Sequence, residues 1–257
     1  MKTSPYWIPF YTMMRNELVR IMRIWSQTLL PPVVTTSLYF VVFGKFIGAQ
    51  LAPIDGLSYI QFIVPGLIMM SVITSSYMNT VSTFYFAKWT RTLDEILVSP
   101  MPDWLVILGF VSGGVLRGLL VGALVTVVAL FFTQLAVHHI VVLLAAVVLT
   151  SVLFSFGGLI NGVFAKGFDG ISIVPTFVLT PLTYLGGIFY SIDQFSPFWQ
   201  NVSLANPILY MVNAFRWGFF GVSDINIWTC FAVLGGITIV FMGTTMYLFR
   251  NGIGLKN

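Results

Sequence analysis

Residues 118–165 read GLLVGALVTVVALFFTQLAVHHIVVLLAAVVLTSVLFSFGGLINGVFA, forty-eight consecutive positions without an Asp, Glu, Lys or Arg. A helix crosses the hydrocarbon of a bilayer with about 20 mainly apolar residues, because every backbone N–H and C=O there must be paired within its own segment. This stretch holds two such crossings, Gly118–Val137 and Ile140–Ala165, with His138 and His139 at the turn between them. The rest of the chain has the same character. Hydrophobic residues make up 58% of the 257 positions and charged residues 8%, against about 25% charged in soluble proteins, so too few charges remain to coat a globule. Mean hydropathy is +0.94. The net charge of +4 does not imply a nucleic-acid partner, because the basic residues are scattered between apolar runs and form no phosphate track. Cys230 is the single cysteine, which excludes a disulfide framework or a multi-cysteine metal site within the chain.

Working outward, the charge-free intervals give Ile24–Gly44 as the first span, Gly56–Ala87 as the second, centred on Pro65–Tyr77, Gly170–Ile192 as the fifth and Ile225–Phe249 as the last. Trp104–Leu116 is too short to cross, which places Arg117 at the start of the third span, where it is expected to snorkel to the inner surface. Gln194–Phe215 is long enough but carries Pro197, Asn201, Asn206, Pro207 and Asn213 and runs into Arg216. That many polar groups are costly in lipid, so the segment 190–221 is expected to form short re-entrant helices between spans five and six; the alternative is a seventh span. With six spans and the N-terminus inside, Lys2, Arg15, Arg20, Arg23, Lys88, Arg91, Arg117, Lys166, Arg250 and Lys256 are cytoplasmic, and Lys45 and Arg216 lie outside. The positive-inside rule favours that arrangement, with both termini cytoplasmic. The expectation is an all-α integral membrane protein, one membrane domain over 1–257. No repeat, soluble domain or cleavable signal peptide is needed to explain it.

Residues 5–23 read as an amphipathic helix lying in the membrane interface. Trp7, Phe10, Met14, Leu18, Ile21 and Trp25 recur at spacings of three and four, and Thr12, Arg15, Asn16, Arg20 and Arg23 fall on the opposite face. Such a helix is either a plain anchor or a contact for a cytoplasmic partner. The loop 88–103 contains a short charged helix with Leu93, Ile96 and Leu97 on one stripe and Arg91 and Glu95 as an (i, i+4) pair, stopped by Pro100. It is either a handle for a partner or a simple link. Gly114, Gly118 and Gly122 form a ladder that permits close backbone approach, within the subunit, at a dimer contact or along a translocation path. The span centres so defined lack Asp, Glu, Lys and Arg, so an internal ion relay is not expected. No protease, hydrolase or nucleotide-phosphate motif is present; Gly44-Lys45 is followed by Phe46. The chain reads as a non-enzyme whose energy comes from elsewhere.

The order and spacing of several strings resemble the type-2 class of ATP-binding-cassette (ABC) transporter permeases, close to the YadH-like bacterial inner-membrane permeases. They are MRIW at 22–25 running into Pro31-Pro32, FIVPGLIMM at 62–70, RTLDEILVSP at 91–100, NGVFAK at 161–166, PTFVLTPLTYLGG at 175–187 and NPILY at 206–210 followed by Phe215-Arg216. The resemblance implies a six-span subunit that pairs with a second permease, as a homodimer, and binds two cytoplasmic ATPases that carry the ATP and Mg; no cofactor is implied in this chain. Arg91, Leu93, Asp94, Glu95 and Leu97 would couple to those ATPases, and the 190–221 segment would supply outer re-entrant helices. Lacking a buried charge, the spans suggest an amphipathic or lipid-like cargo; its movement outward across the inner membrane is implied by the resemblance alone. The competing readings are a nucleotide-independent carrier or channel, and a membrane-assembly factor.

Overall fold

The computed structural model describes residues 6–54 and 56–255; Lys2, Pro5 and Lys256 lie outside them, as does the side chain of Lys45. Apart from one isolated bridge between Ile54 and Leu57, the described residues are helical or irregular. The order is α1 (Trp7–Arg23), α2 (Trp25–Thr28), α3 (Leu30–Tyr39) continuing as a π-helix over Phe40–Ile47, α4 (Tyr59–Trp89), α5 (Thr92–Val98), α6 (Asp103–Ala129), α7 (Ile140–Phe164), α8 (Phe168–Val174), a π-turn over Pro175–Leu179, α9 (Thr180–Tyr184), α10 (Pro197–Leu204), α11 (Pro207–Phe220) and α12 (Ile227–Arg250).

Local chemistry explains many of the boundaries. Pro31 and Pro32 open α3, where a missing N–H costs nothing. Ser58 and Gln61 close a reciprocal capping box at the start of α4. Asn206 and Asn226 accept the N–H groups of Ile208 and Trp228 at the starts of α11 and α12, and Gly221, with φ of 72°, ends α11 in the left-handed region.

Among the described residues five segments are long and apolar enough to cross a membrane: Trp25–Gly44, Tyr59–Trp89, Asp103–Ala129, Ile140–Phe164 and Ile227–Arg250. Two expected boundaries are corrected. The third span begins at Asp103 rather than Gly118, because one arginine does not interrupt a helical ladder; α6 is 27 residues long, about 40 Å at 1.5 Å per residue, and Arg117 sits near its middle instead of at its start. The fifth expected span, Gly170–Ile192, stops at Tyr184. Pro175 lacks the N–H that would continue the α ladder, so the chain widens into a π-turn there, and Gly187, at φ of 68°, reverses it.

Helix α4 is the axis of the bundle, packed along α6 and α7. Neighbours around it alternate in direction. The segment from Trp25, α6 and α8–α9 run against α4, as the pairs Thr36–Ser71, Gly122–Val72 and Gly114–Thr80 show; α7 and α12 run with it, as Gly162–Phe84 and Gly254–Val163 show. Helices α10 and α11 sit at the end of the bundle where α4 and α7 begin, and α5 sits at the other.

Candidate functional site

Three features converge on α4. The first is a groove of about 330 Å³ between α3 and α4, lined by Gln27, Pro31, Pro32, Thr35, Thr36, Tyr39, Leu67, Met70, Ser71, Thr74, Ser75, Met78 and Arg117. A smaller cavity of about 110 Å³ shares Met70, Thr74 and Met78 and lies against Pro175, Thr176, Leu179, Thr180 and Thr183. One face of α4 is therefore flanked by α3 on one side and by the helix of 168–184 on the other. Its lining mixes flexible thioethers with hydroxyls, many of which satisfy themselves on carbonyls one turn back: Ser71 on Leu67, Thr36 on Pro32 and Thr183 on Leu179. Such walls offer an adaptable apolar surface with a few polar contacts. Val34, Leu38, Phe177 and Tyr184, on the flanking helices, remain exposed.

The second feature is a polar cluster at one end of that groove. Arg20 donates through Nη2 to Glu17 Oε2 at 2.6 Å and to Asn79 Oδ1 at 2.9 Å, and Asn79 donates to the same Glu17 oxygen at 3.2 Å. Arg117 donates to the Thr28 carbonyl at 3.2 Å. This corrects the sequence reading twice. Arg20 does not project with Arg15 and Arg23, which are exposed, but turns inward; and Arg117 lies within the third span instead of at its start, its guanidinium level with Thr28. Successive α-helical residues are about 100° apart, so Met13, Glu17, Arg20 and Ile21 share the packed flank of α1, and Glu17 stands over Gly113 of α6. Trp7, Leu18 and Trp25 lie further round on an exposed apolar flank, with Phe10 between the two. Glu17 was missed; its signal was a lone acid on a basic, aromatic helix.

The third feature is the end of the bundle that carries α5. Lys88 Nζ donates to the carbonyls of Val163 at 3.1 Å and Gly254 at 2.7 Å, tying the ends of α4, α7 and α12 together just before α5. Arg91 does not lie in α5. It occupies a left-handed turn, φ of 61°, immediately before it, so the expected ion pair with Glu95 is absent. Leu93 is fully buried against Phe84, Val106 and Phe110 with Leu97 packed beside it, while Asp94 and Glu95 face outward. The helix is thus pinned by its apolar side and presents its acids.

The glycine ladder lies inside the subunit. A methyl group at Gly114 would overlap Thr80 and Ser155, one at Gly118 would overlap Ser76, and one at Gly122 would meet Val72, so α6 packs against α4 and α7 along it. At the opposite end Asn206 donates to the Leu182 carbonyl at 2.6 Å and Pro207 opens α11. Arg216 is buried within the protein at this end; it donates to the Gly187 carbonyl at 2.7 Å, lies 3.7 Å from the Phe62 ring centroid and faces Asp224 at 3.7 Å. His138 and His139 hang from Gly218 by their backbone N–H groups.

Residues 9–220 of this bundle match the ABC-2 type transporter family. The chain belongs to that family. Over 252 residues, 98% of both chains, it is 52% identical to proteins called inner membrane transport permease YadH in Escherichia coli K12 and in Shigella flexneri. It is 25% identical to nodulation protein J of Sinorhizobium fredii over 70% of this chain and 69% of that one. An ABC-2 chain is the membrane-spanning permease side of an ATP-binding-cassette transporter, and its motor is a partner ATPase. The likeness to YadH runs beyond the 9–220 match at both ends, so it includes most of α1 and all of α12.

Proposed function

We propose that the chain is the permease subunit of an inner-membrane ABC exporter, that it pairs with a second copy of itself, and that two cytoplasmic ATPases holding the ATP and Mg drive it. The single domain 1–257 then crosses six times, with α8–α9 as the fifth crossing despite its 17 residues, both termini cytoplasmic, and α10–α11 re-entering from the outer side. The alternating helix directions support this count, because α1, α5 and the end of α12 then share one face. The apolar flank of α1 bearing Trp7 and Trp25 supports an interfacial position, since it faces away from the bundle. The observation that carries the function is the open groove beside α4: its exposed flanking residues leave it one wall short, which a second permease would complete, and its methionine and hydroxyl lining suits an amphipathic cargo. ATP-driven closure of the ATPases would act on α5 and, through Leu93 and Lys88, on the inner ends of α4, α7 and α12.

The test is purification from native membranes followed by reconstitution. The chain is expected to bring down an ATPase bearing a phosphate-binding loop, and amphiphiles are expected to stimulate its ATP turnover; solute flux at full rate without nucleotide would instead establish a carrier or channel. Two variants probe the parts. Reversing the charge of exposed Glu95 (E95R) is expected to cut transport tenfold or more while ATP turnover persists and the thermal midpoint holds, because only the outward side of α5 changes. Since Cys230 is buried, a cysteine replacing exposed Ser196 should be the sole reactive thiol, labelled by an impermeant maleimide from the periplasmic side; labelling only from the cytoplasm would reverse the topology.

A further inference from the structure

Among the described residues Arg117 is the one cation lining the groove beside α4, and its surroundings leave its charge unmatched. The nearby carboxylate, Glu17, is already engaged by both Arg20 and Asn79. Arg117 forms no ion pair within 4.0 Å among the described residues, its Nη2 has a single neutral acceptor, the Thr28 carbonyl, and its buried Nε has no hydrogen-bond partner. Counting Glu17, Arg20 and Arg117, the cluster carries one excess positive charge. A partly buried cation without a counter-charge is costly, and an anion supplied by a ligand would relieve that cost with charge-assisted hydrogen bonds. Apart from the neutral amide of Gln27, the remaining lining is apolar or hydroxylic: Pro31, Tyr39, Leu67 and Met70 along the walls, Thr74 and Ser75 between them. A free inorganic anion would leave those apolar walls unused.

We infer that the groove binds an anionic amphiphile, with Arg117 receiving its phosphate or carboxylate headgroup and the α3–α4 walls receiving its apolar body. Identifying this ligand as cargo rests on the permease reading; the binding site itself does not.

The test uses the full chain with its co-purified ATPase in phosphatidylcholine nanodiscs, measuring equilibrium binding of radiolabelled decyl phosphate against decyl maltoside. Decyl phosphate is expected to bind at least tenfold more tightly, and R117Q should erase that preference while decyl maltoside binding stays put. R117K should recover part of it. T35E, at an exposed position on the opposite wall, should also erase it by neutralising the site without touching Arg117, which keeps the test open if R117Q misfolds. Equal binding of the two amphiphiles in the wild type, or a preference that survives both R117Q and T35E, would overturn the inference. Co-purified phosphatidylglycerol that decyl phosphate cannot displace would mark a resident lipid and overturn the cargo assignment. Arg117-dependent binding in a preparation whose ATP turnover ignores every amphiphile would support the site and sink the permease reading.

Discussion

Gly158→Val is expected to abolish recovery of folded protein. A methyl group at 158 would stand 2.5 Å from the Tyr77 carbonyl oxygen and 3.2 Å from the Val81 nitrogen, so the obstacle is the backbone of α4 itself and no rotamer change can clear it. At the glycines of α6, by contrast, the close neighbours are largely side chains: the Ser76 and Ser151 hydroxyls at Gly118 can swing aside. Relief at 158 requires α4 and α7 to separate, and that contact is the most extensive in the bundle. Overpacking a tight site costs about 1–3 kcal/mol and sometimes more; with a branched side chain against backbone, a loss at or above the top of that range is expected, a large share of the ~5–15 kcal/mol that holds a typical fold. The measurement is the fraction of monodisperse protein in detergent by fluorescence-detected size exclusion, with the thermal midpoint of what survives. Gly235→Ala on α12 is the matched control, since an added methyl there meets nothing within 4 Å and removes a flexible residue from a helix interior. A wild-type profile for Gly158→Val would mean that α4 and α7 do not approach this closely.

The second large effect is at Arg216. Removing its guanidinium strips the donor from the Gly187 carbonyl, the cation from the Phe62 ring and the counter-charge from Asp224. Breaking a buried charge pair from one side costs about 3–5 kcal/mol, most of it from stranding the remaining charge. Arg216→Met, which keeps much of the volume, is therefore expected to lower the thermal midpoint strongly and to expose the 185–226 segment to protease. Adding Asp224→Asn should recover part of the loss, because the stranded carboxylate is then neutral. Arg216→Lys is not a conservative change here, since an ammonium cannot both lie flat on Phe62 and reach two acceptors. If the single and double variants melt together, Asp224 takes no part in the brace.

The two sites show where reading the chain succeeds and fails. In the sequence Asn206 and Pro207 read only as interruptions that make 190–221 short helices; in the structure they cap and open α11, which Gly221 ends, because such signals act within a few residues of themselves. Arg216 was visible as a charge in an awkward place, but its burial was not, since Phe62, Gly187 and Asp224 come from three separate parts of the sequence. Glu95 and Leu93 were correctly set on a short helix, yet the pairing of Glu95 with Arg91 required a regular helix one residue earlier than the left-handed turn permits. Gly158 sits in a Gly-Gly step that carried no special signal beside the more regular ladder of Gly114, Gly118 and Gly122.

Membrane embedding, the strongly apolar segments and most helix ends were settled by the sequence alone, because backbone pairing in hydrocarbon, capping and missing charge are local properties. The rotation of each helix was decided by tertiary structure. Lipid and protein interior are equally apolar, so hydropathy carries no direction around a helix axis; only the packed partners of α6 turn Arg117 toward the groove, and only the flank that α1 lays on α6 turns Glu17 and Arg20 inward to meet Asn79.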